Sequence, residues 1–71
     1  MNTATITVVC NGNVVTLPTD TTVQDYLVSR GCRLDCVAVE ADGRILTADE
    51  YGATLLTDGM RLEVVSFVGG G

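Results

Sequence analysis

The stretch Thr5-Ile6-Thr7-Val8-Val9-Cys10-Asn11-Gly12-Asn13-Val14-Val15-Thr16-Leu17-Pro18 decides how this chain begins to fold. Apolar and polar side chains alternate on both sides of Asn11-Gly12, as in two half-buried β-strands. Asn and Gly tolerate positive φ, so this dipeptide favours a two-residue hairpin turn. Pro18 ends the pairing because it has no backbone N–H. The sequence predicts an opening β-hairpin whose core-facing residues are Ile6, Val8, Cys10, Val15 and Leu17.

A helix over residues 22–30 is predicted to follow the hairpin. Thr22 and Asp25 have the spacing of a capping box, in which each side chain bonds to the backbone N–H of the other. Gly31 is placed to stop the helix, since glycine readily takes the left-handed conformation that ends many helices. The residues that recur at helical spacing, and therefore mark its buried stripe, are Val23, Tyr26 and Leu27.

The remaining elements complete one small α+β domain. They are a third strand over 36–40, a short strand over 44–46, a capped turn of helix over 47–51, an apolar connector or short strand over 53–56, and a last strand over 61–67. One helix packed on a mixed sheet of four to five strands favours a β-grasp fold, in which the first and last strands pair in parallel at the centre. We expect residues 1–66 to form this domain and residues 67–71 to form a flexible C-terminal tail.

Length and charge limit the classes of function. The chain has 71 residues, nine of them Asp or Glu and four Arg, with no Lys or His and a formal net charge of −5. Such a chain lacks the basic patch that nucleic acids or anionic membranes require, and it lacks histidine, the commonest general base. We therefore expect a protein that docks on a basic surface of a partner protein. No basic charge precedes the first apolar stretch, so we expect no secretory signal and a cytoplasmic location.

The three cysteines are an odd number, which disfavours a secreted disulfide framework. Cys10 lies in the first apolar strand and is predicted to be a small, reduced core residue. Cys32 and Cys36 have a spacing that fits no common zinc site, so no metal site is predicted. A redox pair of Cys32 and Cys36 is the alternative, whereas an iron–sulfur module is disfavoured because a plant-type cluster needs four cysteines.

The last residues, Val65-Ser66-Phe67-Val68-Gly69-Gly70-Gly71, carry the functional signal. Three glycines cannot pack and lose the most entropy on ordering, so they form either a frayed end or a functional tail. The alternation that points Leu62 and Val64 inward places Val65 and Phe67 on the other face of the last strand. An exposed apolar pair beside a free end predicts a docking patch for a partner, unless a loop covers these side chains.

With this order of elements, the strand Asp58-Gly59-Met60-Arg61-Leu62-Glu63-Val64-Val65 and the end Phe67-Val68-Gly69-Gly70-Gly71 resemble the ThiS-like sulfur carriers of thiamine biosynthesis. These are ubiquitin-like β-grasp proteins. The resemblance covers the whole chain in element order, and the tail is its most specific part. Carriers for molybdopterin synthesis and ubiquitin itself share the fold and a terminal Gly-Gly. The three cysteines match no motif of the family.

The resemblance implies a protein cosubstrate and not an enzyme, with no catalytic residue and no bound cofactor. An E1-like enzyme using ATP and Mg²⁺ would adenylate the carboxylate of Gly71. Sulfur from a persulfide donor would convert the adenylate to a thiocarboxylate, which would deliver sulfur to thiazole synthase. Val68, Gly69 and Gly70 would run through a narrow channel of the partner.

Three other functions remain open from the sequence. The chain resembles carriers that supply sulfur to molybdopterin or another metabolite, and ubiquitin-like modifiers that are conjugated to lysines of target proteins. It is also compatible with a binding module whose glycine tail has no role.

Overall fold

The computed structural model describes residues 4–67 of the chain. The strands are β1 (Thr5–Cys10), β2 (Asn13–Pro18), β3 (Val37–Ala41), β4 (Arg44–Leu46) and β5 (Arg61–Ser66), with one α-helix, α1 (Val23–Ser29), among the described residues. The strand order is β2-β1-β5-β3-β4. β1 and β5 pair in parallel at the centre, and the other pairs are antiparallel. This confirms the predicted α+β class and the β-grasp arrangement.

The opening hairpin forms as the sequence predicts. β1 and β2 pair from Thr5↔Pro18 to Cys10↔Asn13, which leaves Asn11 and Gly12 as the two turn residues. Their φ values are 51° and 84°, respectively. Positive φ at both central positions defines a type I′ turn, whose twist matches that of the strands it joins. Asn-Gly is therefore a local cause of the hairpin.

Helix α1 is bounded by residues that satisfy its free backbone groups. The backbone N–H of Asp25 donates to Thr22 Oγ1 at 3.0 Å, and the backbone N–H of Thr22 donates to Asp25 Oδ2 at 3.3 Å. Gly31 has a φ of 77°, as a helix-ending glycine requires. Thr22 and Arg30, predicted as helical, are the caps of the helix. No helix within residues 4–67 is long and apolar enough to cross a membrane.

The core lies between α1 and the inner face of the sheet. Val23, Tyr26 and Leu27 of α1 are buried there, which confirms the predicted stripe. The other buried apolar residues are Ile6, Val8, Cys10, Val37, Val39, Ala41, Leu46, Tyr51, Leu56 and Leu62. Val15 and Leu17 are partly buried and pack against this cluster, on the side that the alternation of β2 predicts.

Several predicted boundaries are wrong by a residue or more. Cys36 belongs to a 3₁₀ turn over Leu34–Cys36, so the third strand begins at Val37 and extends to Ala41. The predicted turn over 47–51 is a 3₁₀ turn of Ala48–Glu50. The last strand ends at Ser66, one residue earlier than predicted. In the connector over 53–56, Leu55 forms a single bridge with Thr22. These ends depend on tertiary pairing, which local patterns do not encode.

Replacing Gly31 with alanine should lower the free energy of unfolding by about 1 kcal/mol because an L-residue is strained at positive φ. A Cβ at this position would meet no atom within 4 Å, so the loss reports backbone strain alone. Gly52→Ala is the control, since its added Cβ meets only the rotatable Gln24 side chain, with Oε1 at 3.0 Å. Urea denaturation measures both variants, and equal losses would contradict this explanation.

Candidate functional site at the end of β5

β5 is the strand that leads into the predicted tail, and it lies at the centre of the sheet. On one side it pairs with β3 from Ala41↔Leu62 to Val37↔Ser66. Beyond the end of the strand, the backbone N–H of Phe67 still donates to the carbonyl oxygen of Cys36 at 2.6 Å. The chain is therefore held in position through Phe67. The predicted tail residues Val68, Gly69, Gly70 and Gly71 lie outside the described residues.

On its other side, β5 extends beyond β1, and a side chain takes over the pairing. The Asn11 backbone N–H donates to the Leu62 carbonyl oxygen at 2.9 Å. The Asn11 carboxamide then makes two bonds to Val64: its Oδ1 accepts from the Val64 N–H at 2.8 Å, and its Nδ2 donates to the Val64 carbonyl oxygen at 3.1 Å. The Asn11 side chain therefore supplies the hydrogen bonds that one further residue of β1 would make with β5.

The start of β5 is held in a similar way by the turn between β3 and β4. Asp42 Oδ1 accepts from the Arg61 backbone N–H at 2.8 Å, and the Asp42 N–H donates to the Arg61 carbonyl oxygen at 2.8 Å. Asp42 has a φ of 50°, and Asn11 has a φ of 51°. Both ends of β5 are thus fixed by a polar turn residue in the left-handed conformation, which Asn and Asp tolerate.

The predicted docking pair lies on the outer face of the sheet, which α1 does not cover. Val65 is 56% exposed and Phe67 is 58% exposed. No loop of the described chain buries either side chain. Leu62, in contrast, is 1% exposed, and Val64 packs against the core. The alternation in the sequence therefore placed these four side chains on the correct faces, while the docking role of Val65 and Phe67 stays a prediction.

Sequence reasoning missed that neighbouring strands enlarge this pair into an apolar surface. Ala38 lies directly beside Val65 in the sheet, and Ile45 on β4 is 75% exposed. A shallow depression of about 150 Å³ lies over these strands, with Ile45 and Val65 in its lining. We call Ala38, Ile45, Val65 and Phe67 the outer patch. In the sequence, the position of Ile45 next to the inward-facing Leu46 indicates that Ile45 lies on the outer face.

Two carboxylates accompany the outer patch. Glu40 of β3 and Glu63 of β5 are direct cross-strand neighbours, and Glu40 also lies opposite Ile45. Like charges in this position repel and destabilise a sheet. A basic surface of a partner would relieve this repulsion, because its cations would lie close to both carboxylates.

Other acidic residues are held by their own neighbours. Arg33 Nη2 lies 3.2 Å from Asp35 Oδ2, and this guanidinium lowers the pKa of Asp35. The Thr47 backbone N–H, followed by the Arg44 guanidinium, lowers the pKa of Glu50. These carboxylates therefore have partners within the chain.

The structure also shows where the cysteines lie. All three are unbridged, and Cys10 is buried in the core as predicted, whereas Cys32 and Cys36 are half-buried. Within residues 4–67, no three His, Cys, Asp or Glu side chains gather into a group that could hold a metal ion.

Comparison with known proteins agrees with this geometry. The family model described as the ThiS family matches residues 2–71. The chain belongs to the ThiS family. Its structure is similar to the crystal structure of the thiamine biosynthesis protein ThiS from Geobacter metallireducens, with a TM-score of 0.75 and 28% sequence identity. The alignment covers 93% of this chain and 100% of that one. None of the curated proteins compared matches this chain. The family confirms the predicted resemblance to the sulfur carriers of thiamine biosynthesis.

Replacing Asn11 with glycine should loosen the end of β5 while keeping the turn, because glycine adopts the same positive φ. We expect faster amide hydrogen exchange at Val64 and a loss of about 1 kcal/mol in the free energy of unfolding, as for hydrogen bonds of this kind. Asp42→Gly is the matched control, and it should speed exchange at Arg61 instead. Equal effects of both variants at the two amides would contradict separate fixing of the strand ends.

Proposed function

We propose that this sulfur carrier acts through the terminal carboxylate of Gly71, which an E1-like enzyme adenylates and which is then converted to a thiocarboxylate. Membership in the ThiS family and the run Gly69-Gly70-Gly71 after a central strand support this proposal. The reactive group is then part of the backbone, which agrees with a chain that has no histidine or lysine.

A carboxylate needs activation before it can accept sulfur, because oxide is a poor leaving group. Attack of the Gly71 carboxylate on the α-phosphate of ATP would release pyrophosphate and leave an acyl adenylate. The terminal sulfur of a persulfide would then attack the acyl carbon and expel AMP. Cleavage of the resulting sulfur–sulfur bond by a thiol would leave the thiocarboxylate. The activating enzyme would bind ATP and Mg²⁺, and this chain would supply only the acyl group.

The composition of the tail suits entry into an enclosed active site. Glycine has no Cβ, so Gly69 and Gly70 can pass through a channel that a branched side chain would block. Val68 would be the last side chain before the channel narrows. The hydrogen bond from the Phe67 N–H to Cys36 fixes the point from which these residues extend. A fixed starting point reduces the entropy lost on docking.

The outer patch is the surface that we assign to partner docking. Its apolar side chains would bury against an apolar surface, while Glu40 and Glu63 would face basic residues of the partner. Complementary charge guides encounter and suppresses incorrect partners. Thiazole synthase, which would receive the sulfur, would use the same surface after the activating enzyme has left, since both partners need the same tail. The carrier would perform these exchanges in the cytoplasm.

Incubation with the activating enzyme, ATP, Mg²⁺ and a persulfide donor should exchange one terminal oxygen for sulfur in the intact mass. Deletion of Gly70-Gly71 should abolish this exchange and leave the fold intact, because the last strand of the described residues, β5, ends at Ser66. Circular dichroism is the control for folding. An unchanged mass of the full chain would contradict the proposal, and an isopeptide-linked product would support a ubiquitin-like modifier instead. If only the activating enzyme of a molybdopterin-type carrier supports the exchange of oxygen for sulfur, the chain would instead supply sulfur to molybdopterin synthesis.

Val65→Asp and Phe67→Asp should each weaken binding to the activating enzyme by about 10-fold or more, because a carboxylate would be buried against an apolar surface. Both sites are exposed, so the free energy of unfolding should change by no more than about 0.5 kcal/mol. Leu55→Asp is the matched control, since Leu55 is 51% exposed and lies beside Thr22 at the start of α1. Calorimetric titration measures the affinities. Equal weakening by Leu55→Asp would contradict docking through the outer patch.

A further inference from the structure

The inner side of β5 borders a cavity of about 220 Å³, on the face of the strand opposite the outer patch. The cavity lies between the C-terminal end of α1 and the ends of β1 and β5. Its lining includes Cys10, Tyr26, Arg30, Cys32, Val64 and Ser66. We call it the inner cavity. Ser66 is the last residue of β5, so the inner cavity adjoins the point where the tail begins.

Arg30 is the one charged residue that lines the inner cavity. Arg33 and Arg44 each form an ion pair at 3.2 Å, whereas no carboxylate among residues 4–67 lies within ion-pair distance of Arg30. Its guanidinium carbon lies 5.9 Å from the centre of the Tyr26 ring. A chain of net charge −5 therefore presents an unpaired cation in a cavity that Ser66, the last residue of β5, also lines.

The backbone around Arg30 is fixed by the end of the helix. The Arg30 N–H donates to the Tyr26 carbonyl oxygen at 3.1 Å, and the Gly31 N–H donates to that of Val28 at 3.0 Å. The Cys32 N–H reaches back to the Leu27 carbonyl oxygen at 2.9 Å. These last two bonds, with positive φ at Gly31, form a Schellman motif. The motif places Arg30 and Cys32 on the wall of the inner cavity.

Tyr26 lines the same cavity, and its hydroxyl is neutral. Burial, and then the Cys10 thiol beside it, raise the pKa of Tyr26 to about 12. At physiological pH the side chain is therefore a hydrogen-bond donor, and no tyrosinate neutralises Arg30. The apolar side chains of Leu27 and Val64 also line the cavity. Arg30 itself is exposed, so a carboxylate of a partner can reach its guanidinium.

We propose that the inner cavity is a second docking site, which receives an Asp or Glu side chain of the activating enzyme. This inference rests on the proposed function and adds to it a contact of the opposite charge. The activating enzyme would present basic residues to Glu40 and Glu63 on the outer side of β5 and a carboxylate to Arg30 on the inner side. A reversed orientation would bring like charges together, so the two contacts fix how the carrier docks.

Arg30→Gln should weaken binding to the activating enzyme by about 5- to 10-fold, as for the loss of one partner of a charge pair at an interface. Arg30→Lys should retain most of the affinity because it keeps the charge. Arg33→Gln is the matched control and should change the affinity by less than about 2-fold, since Arg33 pairs with Asp35 on the exposed surface. In about 1 M NaCl the difference between the wild-type chain and Arg30→Gln should shrink, because salt screens the pair.

Alkylation of Cys32 provides a readout that does not depend on substitution of Arg30. Saturating activating enzyme should slow iodoacetamide labelling of Cys32 in the wild-type chain, as measured by peptide mass spectrometry. The control is the chain with Val65→Asp, at a concentration of the activating enzyme that leaves this variant unbound. Its Cys32 should be labelled at the rate of the free protein. An unchanged rate for bound wild-type chain would overturn the proposal.

Three further outcomes test the second docking site and the proposed function separately. Equal affinities of Arg30→Gln and the wild-type chain would overturn the second docking site while leaving the proposed function intact. Absence of thiocarboxylate on the wild-type chain would instead refute the proposed function. If deletion of Gly70-Gly71 alone speeds labelling of Cys32 in the free chain, the cavity holds the terminal carboxylate of the chain itself, and the proposal is overturned.

Discussion

Parallel pairing between β1 and β5 joins the two ends of the described chain, and the position from which the predicted tail starts depends on it. The pairing is completed by side chains because the strands differ in extent. Asn11 continues the ladder to Val64, and Asp42 holds Arg61 from the other neighbour. These polar contacts hold β5 at Arg61 and at Val64, ahead of the predicted tail. A tail on a frayed edge strand would instead have to be ordered by the partner at an entropic cost.

The two faces of the sheet differ in what covers them. The inner face is buried against α1 and supplies stability, while the outer face keeps exposed apolar side chains beside two neighbouring carboxylates. Exposed apolar groups and repelling charges both lower the stability or solubility of a small domain. The proposed docking role would account for their position at the end of β5. Two of the nine acidic residues of the chain, Glu40 and Glu63, lie next to each other on this face.

The sequence predicted those features that depend on neighbouring residues. Asn11-Gly12 determines its own turn, Thr22 and Asp25 cap their own helix, and alternation assigns Val65 and Phe67 to a face. It could not predict the Asn11 carboxamide bonds to Val64, which join residues 53 positions apart. The same holds for Ile45 in the outer patch, which depends on strand order. It also holds for Arg30 and Ser66, which line one cavity only because of where the helix packs on the sheet. The predicted third strand includes Cys36, whereas the structure places this residue at the end of the 3₁₀ turn Leu34–Cys36.

The central claim is that the reacting group of this ThiS-family chain is the backbone carboxylate of Gly71. Labelling that carboxylate with ¹⁸O and following the label through activation tests the claim most directly. If the carboxylate oxygen attacks ATP and is then displaced by sulfur, one ¹⁸O atom should appear in the released AMP for each thiocarboxylate formed. AMP that carries no ¹⁸O, while the chain still gains sulfur, would contradict the account.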